Sequence, residues 1–393
     1  MKISNRCNGV SPSATLAISA KAKAFKAQGL DVISFGAGEP DFDTPKYICD
    51  AAKEAIDMGM TKYTPASGTL ELKKAVVETL SKKGLEYEPK NIVISNGAKH
   101  SLFNAISAIV EEGDEVLLPM PYWVSYPELI KLAGGNVVYV PCDENFVIDL
   151  VAMEKLITKK TTTLILNNPS NPTGVVLQKD IIESIAEICV KHDINVISDE
   201  IYDQLIYVND EIPSIATMDG MKDRTIVVNG VSKTYSMTGW RIGYLAAPDD
   251  VAKAIGDMQS QTTSAPNTIA QYASYKALIG GMEEVLEMKE AFKKRKEAAT
   301  EYINNTAGIS CIVPDGAFYI MINVSSTYGK SINGKTINNS MEFSSVLLEE
   351  ALVAVVPGGE FGAEEYVRIS YASSLESIME GLSRIGKFVS ECK

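Results

Sequence analysis

Seven short apolar runs, each closed by small or polar turn residues, divide the middle of this chain. They are Ile92 to Ser95, Glu115 to Leu118, Val137 to Val140, Thr163 to Leu166, Asn195 to Ser198, Thr225 to Val228 and Ile242 to Ala246. Several are apolar at every position, which suits a strand whose two faces are both covered by helices. Helical spacing fills the gaps, notably over Ser101 to Ile109 and Ile181 to Cys189. Such alternation predicts an α/β fold: a seven-stranded, mostly parallel sheet with helices on both faces. Upstream, Thr44-Pro45 reads as a helix start, with threonine as N-cap and proline at the first helical position. Ile48, Ala52, Ala55 and Ile56 follow at helical spacing. A second amphipathic stretch, through Leu72, Ala75, Val76 and Leu80, stops at Gly84.

From about Met282 the pattern changes. A long charged helix, Glu283 to Ile303, leads into strand signals at Ala317 to Ile322, Leu352 to Val356 and Val367 to Ser370. A helical stretch at Met341 to Ala351 lies among them, and another ends the chain. This predicts a second, smaller α+β domain. No repeat or low-complexity linker separates the parts, so they should pack closely. With 46% hydrophobic and 22% charged residues over 393 positions, the chain can bury a sizeable core.

Charge and residue counts exclude several classes. Thirty-seven basic against 50 acidic residues give a net charge of −13, which disfavours a nucleic-acid backbone as partner. An anionic ligand must then be drawn in by a local cluster of positive charge. Only His100 and His192 are available as imidazoles, so a histidine-rich metal site is not expected. Six scattered cysteines without a CxxC pair read as reduced thiols of a cytoplasmic protein. No apolar run approaches the roughly 18 residues of a membrane span, and no signal-peptide core stands at the N-terminus.

In open α/β sheets, ligands bind beyond the C-terminal ends of the strands. After the first run comes Asn96-Gly97-Ala98-Lys99, small residues opening a helix, which could cradle an anion or simply turn the chain. The dinucleotide fingerprint GxGxxG and the phosphate loop GxxxxGK[ST] are both missing there, which speaks against a nicotinamide dehydrogenase. After the fourth run, Asn167-Asn168-Pro169-Ser170-Asn171-Pro172-Thr173-Gly174 is a stiff non-helical loop that could hold an asparagine amide still. After the fifth comes Asp199-Glu200-Ile201-Tyr202; acids there are costly to bury without a cation, although a helix cap would also account for them. The sixth is followed by Ser232-Lys233 and then Gly239-Trp240-Arg241. A lone lysine is more often plain solvent decoration. Together, however, an anion cradle, an asparagine, a carboxylate, a lysine and an arginine meet the needs of pyridoxal 5'-phosphate. Its aldehyde needs a lysine, its ring nitrogen a carboxylate, and its phosphate amides with an arginine.

The motifs Gly38-Glu39-Pro40-Asp41-Phe42, Pro121 to Tyr126, Asn171-Pro172-Thr173-Gly174, Ser198 to Tyr202 and Ser232-Lys233 through Arg241 occur in one order, from Pro12-Ser13-Ala14-Thr15 to Val367-Arg368-Ile369-Ser370-Tyr371. In this the chain resembles, nearly end to end, the class-I, fold-type I pyridoxal-phosphate-dependent aminotransferases, and among them most the bacterial aspartate-using branch. The resemblance implies a ping-pong transfer of an amino group between L-aspartate and 2-oxoglutarate by Schiff-base chemistry. Aromatic, alanine or prephenate aminotransferases and carbon–sulfur lyases of the same family are the alternatives. A ligand sensor on the same fold would carry a DNA-binding module, for which there is no spare length. Residues 46–284 would form the large cofactor-binding domain, and 1–45 with 285–393 the small one.

The resemblance also implies roles. Lys233 would bond the cofactor aldehyde and later carry the proton at the substrate α-carbon, which requires a depressed pKa. Asp199 would pair with the ring nitrogen, Tyr202 and Asn171 would bond the ring oxygen, and Trp123 would stack on the ring. Arg241, Gly97 and Ala98 would hold the phosphate, with Tyr63 reaching it from the partner subunit of a homodimer with shared sites. Arg368 would fork onto the substrate α-carboxylate, helped by Gly38. Lys99, with Thr15, would take the distal carboxylate. Gly230 stands where the family often has a phosphate-contacting hydroxyl.

Overall fold

The computed structural model describes the chain except residues 5–7, 11–13 and 209–211 and the side chains of residues 14–17 and 19. Among the described residues, seven strands form one sheet in the order Ile92–Ser95, Gly243–Ala246, Thr225–Gly230, Asn195–Asp199, Thr161–Asn167, Glu115–Pro119, Asn136–Val140. All run parallel except Gly243–Ala246, which is antiparallel to both neighbours. The strand at the centre of the order is buried at four of its five positions, in agreement with the apolar runs. Helices Leu70–Ser81 and Thr268–Ile279 pack with one core cluster, Ala98–Ile109, Ser125–Ala133 and Asp249–Thr262 with a second, and Lys179–Lys191 with a third.

The antiparallel strand matters for chemistry. Gly230 pairs with Gly243, and Ser95 pairs with Gly243. The start of Gly243–Ala246 therefore lies at the edge where its neighbours end. That brings Arg241, just upstream, to the same edge as the turns after Ser95, Asn167, Asp199 and Gly230.

A second, four-stranded antiparallel sheet has the order Val356–Pro357, Tyr366–Ser370, Tyr319–Asn323, Ser310–Cys311. Helices Glu283–Asn304 and Leu375–Glu391 enclose it with Phe292, Phe318, Phe343 and Phe388 in one core cluster. Ile33–Ser34 pairs in parallel with Val353–Ala354, and Lys330–Ile332 forms a hairpin with Lys335–Ile337.

Three expectations need correction. Thr44 does not cap the first helix of the large sheet's layer; Lys46–Asp57 starts after Pro45 without a side-chain cap. The Thr44 hydroxyl instead donates to Ser236 O at 2.7 Å and accepts from Trp240 Nε1 at 2.9 Å, so a distant turn claims it. Ile56, placed on the buried face, is 55% exposed. The stretch Leu352 to Val356 is not one strand: Leu352 takes a left-handed backbone, and the two halves that follow join different sheets.

Candidate active site

The helix Ala98–Ile109 opens directly behind the strand Ile92–Ser95, with Gly97 as N-cap at φ +85°. That conformation favours glycine. A Cβ at Gly97 would also lie 2.3 Å from Arg241 Nη2. The missing side chain lets the guanidinium lie against a helix start whose free amides and dipole attract an anion. Arg241 is fixed there by Nη1 to Thr238 O (2.9 Å) and Nη2 to Asn96 O (3.3 Å). Gly230 has a packing explanation. A Cβ on it would stand 3.0 Å from the Gly243 Cα, and a Cβ on Gly243 would stand 2.2 Å from the Ala98 nitrogen. The glycine pair seats the helix start on the sheet edge, and a hydroxyl side chain at 230 would require the facing strand to give by a few tenths of an ångström.

Asp199 ends its strand, is 4% exposed and makes no ion pair among the described residues, Lys233 acting on it only from a distance. Tyr126 Oη donates to its Oδ2 at 2.7 Å and the Ile201 amide to its Oδ1 at 3.2 Å. Burial nevertheless pushes its pKa up to about 6, because an ion in low dielectric is disfavoured without an opposite charge. Arg368, 3% exposed, donates through Nη1 to Asn171 Oδ1 (2.9 Å) and through Nη2 to Gly36 O (3.4 Å). Its Nε is buried without a partner. Burial holds its pKa below the ordinary arginine value. The Arg368 bond also orients Asn171: with Oδ1 engaged, the amide Nδ2 is left to donate.

Lys233 is half-buried, and its Nζ donates to the Gly38 carbonyl. Burial draws its pKa down to about 8; Glu39 opposes the fall, and Arg241 and Arg368 add to it. Glu39 is itself held by the Thr238 hydroxyl at 2.8 Å. Tyr202 Oη shares a hydrogen bond with Tyr319 Oη at 3.0 Å, and burial lifts the Tyr202 pKa well above the usual value. Lys99 Nζ lies 4.8 Å from the Trp123 ring centroid. Its pKa is lowered by burial and by Arg241. Trp123 stands edge-on to Tyr126, with centroids 5.3 Å apart.

Apart from Gly97, Tyr63 and Thr15, the residues assigned from the sequence line one cavity of about 630 Å³. Gly97 lies just behind its wall, against Arg241. Tyr63 is elsewhere on the chain and 94% exposed. The side chain of Thr15 and residues Pro12 and Ser13 lie outside the described set. Tyr126, Tyr319, Asn167, Glu39 and Thr238 also line the cavity and were not assigned. Tyr126 belongs to a quoted motif, but nothing in its spacing pointed to Asp199, 73 positions away.

The cavity makes demands that a ligand can meet. A buried acid makes no ion pair among the described residues, a buried guanidinium has a free N–H, and a helix start with an arginine presents donors to an anion. A lysine of lowered pKa faces all three. A heteroaromatic carbonyl compound with a protonated ring nitrogen and an anionic arm fits this set, with a second carboxylate at Arg368.

The sequence pattern of the family described as "Aminotransferase class I and II" matches residues 30–385. The aspartate aminotransferase of Bacillus subtilis (strain 168) is 46% identical over 99% of both chains. A probable aspartate/prephenate aminotransferase of Aquifex aeolicus is 44% identical over 99% of both. The crystal structure of the aspartate aminotransferase from Rhizobium meliloti superimposes with a TM-score of 0.96 at 40% identity, covering 100% of each chain.

Proposed function

The chain belongs to the class I and II aminotransferases and is a transaminase, and from that premise we propose that it exchanges an amino group between L-aspartate and 2-oxoglutarate, giving oxaloacetate and L-glutamate, with pyridoxal 5'-phosphate as cofactor. The convergence of Lys233, Asp199, Arg241 and Arg368 on one cavity carries this reading. When bound, the cofactor supplies a carbonyl that takes up amino groups and a cationic ring that accepts the electron pair released at the substrate α-carbon.

The protein's own groups do the rest. Asp199 would keep the proton on the ring nitrogen, and the Tyr126 hydroxyl keeps Asp199 aimed. Asn171 Nδ2 and the Tyr202 hydroxyl would serve the ring oxygen, with Tyr319 bonded to Tyr202. Trp123 would pack on the ring. Arg241 and the Gly97-Ala98 helix start would hold the phosphate, joined by Tyr63 of a second copy in a homodimer. Arg368 would grip the substrate α-carboxylate near the Gly38 backbone and so turn the single α-hydrogen toward Lys233. The Lys233 amine then moves that proton, which its lowered pKa allows near neutral pH. Lys99 takes the distal carboxylate.

We divide the chain into a large part, 46–284, and a small part, 1–45 with 285–393, with the site between them. The five described cysteines are free, which fits a cytoplasmic protein. No described helix is long and apolar enough to cross a membrane.

The test is spectral. The purified protein should be yellow, and borohydride reduction should fix a cofactor mass on Lys233. Half-reactions with aspartate, glutamate, alanine and phenylalanine should favour the two dicarboxylates. A faster reaction with phenylalanine would move the protein to the aromatic alternative, and amino transfer to prephenate would move it to the aspartate/prephenate kind.

A further inference from the structure

Tyr63 projects from the segment between helices Lys46–Asp57 and Leu70–Ser81 with 94% of its surface exposed. An exposed ring on a connecting segment usually marks a mobile loop tip. Here the pedestal is fastened from within the core. Gln271, fully buried, accepts from the Thr69 amide at 2.9 Å and donates to Thr64 Oγ1 at 3.0 Å and Pro266 O at 2.9 Å. Gln259, also fully buried, donates to Ala66 O at 2.6 Å and Ile94 O at 2.8 Å. It accepts from Ser95 Oγ at 2.8 Å and Asn104 Nδ2 at 3.0 Å. The Ile94 amide donates to Ser67 O at 3.0 Å. Gly68 rests so closely on Ile94 that a Cβ would come within 2.3 Å of it.

A buried glutamine is costly unless its amide is satisfied, and an apolar residue would pack there at lower cost. Gln259 uses both donors and both acceptor positions of its amide, and Gln271 uses three of its four. What the two amides share is the segment 64–69. Gln259 adds a second duty: its acceptor side holds Ser95 and Asn104, on the strand and helix that carry this chain's own anion cradle.

We propose that Gln259 and Gln271 are positioning residues that set Tyr63 for delivery to the cofactor phosphate of a second copy, and that Gln259 registers this donated tyrosine against the cradle its own chain keeps. The proposal rests on the homodimer reading in which Tyr63 acts in trans.

A double-mutant cycle on the dimeric protein tests it, with Gln271→Met, Tyr63→Phe and their combination. The readouts are the dissociation constants of pyridoxal 5'-phosphate and of phosphate-free pyridoxal, and hydrogen exchange over residues 64–69. Each single variant should weaken pyridoxal 5'-phosphate binding about tenfold, the scale of one lost hydrogen bond to a charged group. Pyridoxal binding should hardly change. The combination should be no worse than Tyr63→Phe alone, because a misplaced tyrosine has no more to lose. Thr64→Val, which leaves the core amide in place, should shift binding the same way by a few-fold, so a poorly folding Gln271→Met does not end the test. If Gln271→Met lowers Tm while cofactor affinity is unchanged, or if the two effects multiply, the positioning role is refuted. If Tyr63→Phe alone leaves affinity unchanged, the trans reading fails, and the proposal with it; the cycle tells the two failures apart.

Discussion

Asp199 is a buried acid with no ion-pair partner among the described residues, and that has a price on stability which can be measured. Its proton is retained up to about pH 6, above the usual 3.8. Between those values the folded chain binds this proton more tightly than the unfolded one, so stability falls as pH rises through that window. Above pH 6 the penalty is complete, of order 3 kcal/mol by the size of the displacement. Asp199→Asn should therefore raise the Tm of the cofactor-free protein at pH 7, and the gain should vanish by about pH 4. The same variant should lose cofactor affinity, since the ring cation that offsets the buried charge would no longer be met. No gain in Tm at pH 7 would mean that Asp199 is already neutralised by its surroundings. Lys99 offers a second residue-scale test. Lys99→Ala should lower kcat/KM for aspartate and glutamate by about 10- to 100-fold, the range of a charge-assisted hydrogen bond, and should affect alanine far less. Equal losses would remove it from the distal carboxylate. Lys233, Asp199 and Asn171 stand at or a few residues beyond the end of an apolar run, where chain order alone predicts a strand edge; Arg368 lies within its strand, and only the resemblance singled it out. Tyr126 and Tyr319 were not legible, because their partners, Asp199 and Tyr202, are brought together by packing across more than 70 positions.

At the scale of elements, the strands of the large sheet were readable because burial on both faces writes an unbroken apolar run. Elements stabilised by neighbours were hidden. The pair Ile33–Ser34 with Val353–Ala354 is two residues long on each side, too short for any period to show. Leu352 to Val356 looked continuous because its composition is uniform; only the positive φ at Leu352 and the change of partner divide it. Thr44 had the residue type and spacing of a cap, but a hydroxyl can serve only a few partners, and Ser236 with Trp240 took it. The helix start at Gly97 joins both lessons: its position was evident from sequence, its reason was not. Gly97→Ala would force an L-residue into φ +85° and press a methyl onto Arg241. The strain is about 1 kcal/mol or more, and it falls on the anion cradle. Pyridoxal 5'-phosphate affinity should drop at least several-fold, and phosphate-free pyridoxal should bind nearly as before. Equal weakening of both ligands would place the damage outside the cradle.

For the whole molecule, the question is what the exposed apolar surface near Tyr63 is for. Ile56, Met58 and Leu70 are 55%, 52% and 53% exposed on the same stretch of chain as Tyr63, and apolar residues left bare favour burial against a partner. In the homodimer proposed above that partner is a second copy, whose site Tyr63 would complete. Each copy carries −13, so two copies repel at long range and local apolar burial must overcome that repulsion. Salt screens the repulsion and leaves the burial largely intact. Association should therefore tighten as ionic strength rises from about 10 to 150 mM, the opposite of an interface built on ion pairs. Leu70→Asp adds charge to a site meant for burial and should yield a particle of half the mass in sedimentation velocity. If the tyrosine acts across the interface, that monomer should also bind pyridoxal 5'-phosphate about tenfold more weakly, and raising its concentration should restore dimer and affinity together. A Leu70→Asp protein that stays dimeric would place Leu70 outside the interface, and a monomer with undiminished affinity would show that each copy completes its own site.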